Sequence, residues 1–177
     1  KMAESVKQPL SYNRLKNVIV STGSPISVPT TIDYVDYATD SWLILPMENE
    51  VGKLTEKEMQ KKYYFVDNGL LNLFLINSET SLLENIVAVE LCRRFGKKNV
   101  FFLSAEKEID FIVPDVKLAI QVSYSIKEEA THNREVAPLV KYSKTHEDWT
   151  CLLITYDEEG TEEGIPVVPA WKWLMEK

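Results

Sequence analysis

Apolar residues recur along this chain with two different periods, and the switches between them mark its elements. In "SYNRLKNVIVSTG", Leu15, Val18 and Ile19 fall at spacings of three and four, with Ser11 as N-cap and Gly23 ending the run, so a helix is predicted. "VPTTIDYVDYATD" reads as a second helix, with Pro29 at its start and Ile32, Val35 and Ala38 recurring every third residue. "SWLILP" is a short strand, and a polar loop from about 47 to 60 leads to "KKYYFV", a second strand. Beyond residue 66 the pattern alternates. "DNGLLNLFL" is a short helical piece and "SLLENIVAVELCRRFG" a long amphipathic helix closed by Gly96. Strands are predicted at about 99–104, 108–114 and 117–124, a helix over roughly 131–144, strands in "WTCLLITYD" and "GIPVVPA", and a terminal helix in "WKWLMEK". The acidic "DEEGTEEG", 157–164, reads as a solvated loop.

Helix, turn, helix and hairpin follow the winged-helix plan over residues 1–66, and residues 67–177 follow the order of an α/β (α+β) domain built on a mixed sheet. The composition, 45% apolar and 10% aromatic in 177 residues, suits a packed core. No apolar run reaches the roughly 20 residues that span a bilayer, and no secretory signal is visible in "KMAESVKQPL". Cys92 and Cys151 read as separated thiols, and a cytoplasmic location without a membrane partner is expected. The opening Lys1 points to a piece of a longer protein.

Charge narrows the partners. The net charge is −7, and no Lys or Arg occurs between Lys16 and Lys53. The second helix, the one a winged helix would lay in the major groove, carries Asp33, Asp36 and Asp40, which repel phosphates. A packing or protein-contact role is therefore expected for this segment, and DNA binding through it is disfavoured. Tyr34 and Tyr37 suit such a protein partner.

Candidate chemistry concentrates in "EIDFIVPDVKLAIQVS", residues 108–123. Metal-dependent phosphodiester hydrolysis needs carboxylates around one or two divalent cations, with a lysine close by. A common layout puts a Glu on the preceding helix, an Asp on a strand and Glu-x-Lys on the next strand, where residues two apart share a face. Glu84 and Asp110 fill the first two positions, and Gln121 and Ser123 occupy those of the Glu-x-Lys pair. Glu84, Asp110 and the carbonyl oxygen of Gln121 are thus the possible ligands for Mg2+. The ammonium is missing at Ser123, and Lys117, four residues before Gln121, lies about 13 Å away along the strand. Whether Lys127 reaches back from the following loop is open at this level. Other readings also stand: Glu84 as a first-turn acid favoured by the helix dipole, and Asp110 as a turn cap or a partner of Arg134.

Taken in order, "KKYYFVDNGLLNLFL", "SLLENIVAVELCRR", "EKEIDFIV", "IQVSYSI…NREVAPL" and the ending "VPAWKWLME" resemble the C-terminal region of a large prokaryotic family of AAA+-type ATPases. In that family a winged-helix segment precedes a domain of unknown function similar to PD-(D/E)XK nucleases, a restriction-endonuclease-like fold. The resemblance runs from about residue 9 to the end. It implies an upstream ATPase module that binds ATP, and no cofactor of this chain's own. In keeping with this, the sequence has no G-x-x-x-x-G-K-[ST] loop. It also implies nuclease roles for Glu84 and Asp110, which fail at Gln121 and Ser123. It sets Arg134 and Glu135 beside the pocket, with Arg134 in a salt bridge or on a phosphate. The expectation is a non-catalytic interaction or regulatory module with a degenerate pocket. Its alternatives are a metal-dependent DNA endonuclease and a module that binds nucleic acid without cutting it.

Overall fold

The computed structural model describes residues 2–51, 60–76, 78–104 and 108–176. Two helices come first, α1 (Tyr12–Ser21) and α2 (Val28–Asp40). Each begins where a serine offers its hydroxyl to the third N–H of the helix, Ser11 to Arg14 and Ser27 to Thr30, both at 3.2 Å. Leu15 of α1 and Thr31 and Val35 of α2 are buried, while Tyr34 and Tyr37 face outward. The hairpin that follows is β1 (Ile44–Asn49) and β2 (Lys62–Phe65), antiparallel with Ile44 opposite Phe65. Residues 47–49 of the expected loop belong to β1, and 52–59 lie outside the described residues.

The hairpin does not stand apart as a wing. β1 pairs in parallel with β3 (Phe101–Ser104), so both of its strands extend the main sheet. The Asn49 side chain secures this join, accepting from the Ser104 N–H at 3.0 Å and donating to the Ser104 carbonyl at 3.1 Å. The sheet therefore crosses the 66/67 position at which the sequence reading divides the chain.

Beyond β2 come α3 (Asn68–Asn72), capped by Asp67, and α4 (Glu79–Phe95). Gly96, at φ +85°, ends α4 in a conformation that favours glycine. The next strands are β3, β4 (Glu108–Val113) and β5 (Leu118–Val122). Helix α5 (Glu129–Thr145) leads to β6 (Thr150–Thr155), β7 (Gly160–Glu162), β8 (Ile165–Pro169) and α6 (Ala170–Met175). The eight strands form one mixed sheet in the order β2-β1-β3-β4-β5-β6-β8-β7. Pairing is antiparallel from β3 through β5 and parallel from β5 through β6 to β8. The result is a mixed α/β fold with six α-helices among the described residues. None of them is long and apolar enough to cross a membrane.

One correction concerns "DEEGTEEG". Gly160–Glu162 is an edge strand paired with β8, turned at Glu163 and Gly164 with φ of +49° and +86°. Two adjacent positive-φ residues match the right-handed twist of a tight hairpin, so the glycine after the acid was the usable signal.

Apolar side chains pack on both faces of the sheet. One cluster joins Leu15, Val35, Tyr64, Val87 and Leu91 to Phe111 and Ile120. The other sets Val136 and Leu139 of α5 against Ile109, Ile112 and Leu153. Strand β4 serves both and carries a bulge: Ile109 and Ile112, three apart, lie opposite Leu103 and Phe101, two apart. The extra residue falls beside Asp110, and a bulge re-aims the side chains it carries. Cys151 is buried, Cys92 is half-buried, and both are free thiols.

Candidate functional site

Asn85 fixes the position of Glu84. Its side chain bonds both backbone groups of Phe65, accepting from the N–H at 2.7 Å and donating to the carbonyl at 2.8 Å, and donates also to Asn68 Oδ1 at 2.8 Å. This pins α4 across β2, and the adjacent Glu84 is held over the other end of that strand. Residues 62 and 64 of β2 share one face. Tyr64 donates to Glu84 Oε1 at 2.8 Å, and the Lys62 ammonium lies 3.5 Å from the same oxygen. Asp110, re-aimed from the bulge, reaches Lys62 from the opposite side, Oδ1 at 3.2 Å. Glu108 Oε1 completes the set at 2.8 Å. An ammonium has three donors, and three carboxylates surround this one.

Lys62 overturns one expectation from the sequence. The acids do have a neighbouring ammonium, and it comes from the strand of the expected wing, not from Ser123, Lys117 or Lys127. Lys62 is 0% exposed, with the Phe102 ring 5.6 Å from its nitrogen. Lys117 pairs instead with Asp148. The suggested pairing of Asp110 with Arg134 does not form either. Asp110 takes Lys62, and its Oδ2 accepts from the Val122 N–H at 3.0 Å.

Gln121 is held by two neighbours. Its Oε1 accepts from the Asp110 N–H at 3.2 Å, and its Nε2 donates to Glu135 Oε2 at 2.7 Å. Arg134 closes on Glu135 Oε1 at 2.6 Å, the expected salt bridge. These residues line a cleft of about 580 Å³ together with Glu84, Asp110 and Lys7. Glu84, Asp110, Gln121, Arg134 and Glu135 thus line one cleft. Ser123 stays out of the lining, its hydroxyl given to the Ser125 carbonyl at 2.9 Å. Lys62, Tyr64, Asn85 and Glu108 were missed. The usable sign was a lysine within "KYYF", where alternation aims Lys62 and Tyr64 the same way.

Burial, together with the neighbouring Asp110, raises the Glu84 carboxyl from 4.5 to about 7, against the opposing pull of Lys62, Lys7 and Tyr64. For Lys62, burial acts to lower the ammonium, but the charges of Glu84, Asp110 and Glu108 outweigh it and hold it above its ordinary value. Burial, then Glu84, pushes the Tyr64 hydroxyl well up, so it stays a donor.

The residues do not fit Mg2+. A hard cation wants several oxygens with free lone pairs and an anionic shell. Here an ammonium stands between the two buried acids, and the amide oxygen of Gln121 faces an N–H. Among the described residues no group of three His, Cys, Asp or Glu is placed to hold a metal.

Two curated proteins match the chain. One, an uncharacterized protein of Methanocaldococcus jannaschii, is 30% identical over 182 aligned positions, 94% of this chain and 41% of that protein. The other, an uncharacterized protein of Haemophilus influenzae, is 30% identical over 183 positions, 99% of this chain and 44% of its own length. The chain spans about two fifths of the length of the curated relatives it matches. No family model matches it, and no solved structure matches it.

Proposed function

We propose that this chain is the C-terminal, non-ATP-binding portion of a longer AAA+-type ATPase, and that its nuclease-like α/β unit works as an interaction or regulatory module. The order α4-β3-β4-β5-α5-β6, with its antiparallel and then parallel pairings, supports the nuclease-like part of the reading. The relatives are more than twice as long as the stretch they share with this chain, which leaves room for a further module. The acidic outer face of α2, with Tyr34 59% and Tyr37 65% exposed, suits a protein partner better than a phosphate backbone.

A single observation carries the non-catalytic reading: the Lys62 ammonium is buried among Glu84, Asp110 and Glu108. The polar floor is satisfied from within, and no buried side-chain nitrogen or oxygen among the described residues lacks a partner. A network paired in this way stabilises one arrangement and sets an ammonium between the two buried acids. The test is incubation of the purified chain with supercoiled plasmid and single-stranded RNA in millimolar Mg2+ or Mn2+. Intact substrate is expected. Strand scission that disappears in Asp110→Asn refutes the reading.

The alternative, a metal-dependent nuclease, draws on the same lysine, since Lys62 brings to Glu84 and Asp110 the positive charge that the Ser123 position lacks. It requires Lys62 to leave Glu84 before an ion can enter.

A further inference from the structure

We infer that the Lys62 ammonium is the resident cation of the cleft, taking the place between Glu84 and Asp110 where a divalent ion would otherwise sit. The inference rests on the non-catalytic reading and goes beyond it, because it assigns Lys62 a specific task, the exclusion of metal.

Three features of the site carry this. The first is charge: three carboxylates lie around the one ammonium, at 2.8, 3.2 and 3.5 Å, and Asp110 Oδ1 accepts a hydrogen bond from it. The second is prior engagement of the oxygens. Asp110 Oδ2 holds the Val122 N–H, Gln121 Oε1 holds the Asp110 N–H, and Glu84 Oε1 takes the Tyr64 hydroxyl as well as facing Lys62. An incoming ion would have to break these contacts as well as expel the lysine. The third is confinement: Lys62 is 0% exposed on a strand lying against Phe102. A divalent cation arriving at Asp110 would face a fixed positive charge at hydrogen-bond range, and repulsion is strong where water does not screen it.

Removing the charge should therefore create the metal site. Lys62→Met keeps most of the apolar stem, ends one atom short of the ammonium, and leaves Glu84, Glu108 and Asp110 facing an uncharged gap. The probe is Mn2+ alone, followed by calorimetry and by the electron paramagnetic resonance of free Mn2+. The wild-type chain is expected to take up no ion at the cleft in the sub-millimolar range. Lys62→Met is expected to bind one Mn2+ per chain at least about tenfold more tightly, and to lose it when Asp110→Asn is added. Equal Mn2+ binding by wild type and Lys62→Met overturns the inference.

A measurement on the unaltered protein covers the case in which Lys62→Met does not fold. With lysine labelled by nitrogen-15, the buried ammonium gives slowly exchanging proton signals. These are expected to survive Mn2+ addition unchanged, and their quenching at sub-millimolar Mn2+ overturns the inference. The two readings fail separately. Scission by wild type with the Lys62 signal intact ends the non-catalytic reading while supporting Lys62 as resident cation. Quenching without scission ends only the assignment of Lys62.

Discussion

Glu84→Gln should remove a pH dependence of stability that wild type carries. Glu84 is 2% exposed and faces Asp110 and Glu108 from β4, Lys62 and Tyr64 from β2, and Lys7 from the N-terminal segment. Its carboxyl rises from 4.5 to about 7 on folding, chiefly through burial and then through Asp110. Between those values the folded chain holds a proton that the unfolded chain has released, so stability falls as pH rises. The contribution is fully present below about 4.5 and lost above about 7. At roughly 1.4 kcal/mol per tenfold change in proton affinity, it amounts to roughly 3 kcal/mol. Glutamine keeps the shape and can still accept from Tyr64, but it does not titrate. Urea unfolding of both proteins from about pH 4.5 to about pH 8 isolates the effect, because the other titrating groups largely cancel in the difference. The variant should gain on wild type by roughly 3 kcal/mol across that window. Profiles that stay parallel to within about 0.5 kcal/mol would show that Glu84 keeps an ordinary carboxyl and that the cleft is wetter than its burial implies.

The other substitutions probe the same network. Lys62→Met leaves buried acids without their counter-charge and should cost about 3–5 kcal/mol at about pH 8, read from urea midpoints. Gln121→Glu sets a carboxylate against Glu135 Oε2, now 2.7 Å from the Gln121 amide nitrogen, and should cost about 2–3 kcal/mol. Adding Glu135→Gln should restore most of that loss, giving a coupling energy above about 1 kcal/mol in a double-mutant cycle. Asn85→Ala strands the Phe65 N–H and carbonyl and frees α4 from β2, so thermal unfolding should report a loss of about 3 kcal/mol.

Periodicity carried the long elements well. In α4 the apolar stripe from Leu83 to Leu91 is buried, and the glycine stop falls at Gly96. The serine cap at Ser11 and the run of β3, β4 and β5 were legible for the same reason: each is a local rule about adjacent residues. Sheet neighbours are not local. Nothing within residues 44–65 states that β1 will find β3, because that pairing closes over more than 50 positions. The bulge at Asp110 is equally silent, since it depends on how β4 registers against β3.

The same limit explains why the acids were found and their cation was not. Glu84, Asp110 and Gln121 follow one another in a recognised order, so their convergence could be expected from spacing. Lys62 precedes all three and sits among aromatic residues in a strand that looked like a wing. Its role exists only because the hairpin joins the main sheet and Asn85 draws α4 across it. Once that happens, Gln121 carries a different meaning. An acid at position 121 would meet Glu135. Gln121 instead donates to Glu135 and accepts from the Asp110 backbone, two roles that an ionised carboxylate cannot combine. The glutamine is therefore the residue this network requires, just as the burial of Lys62 requires the acids that surround it.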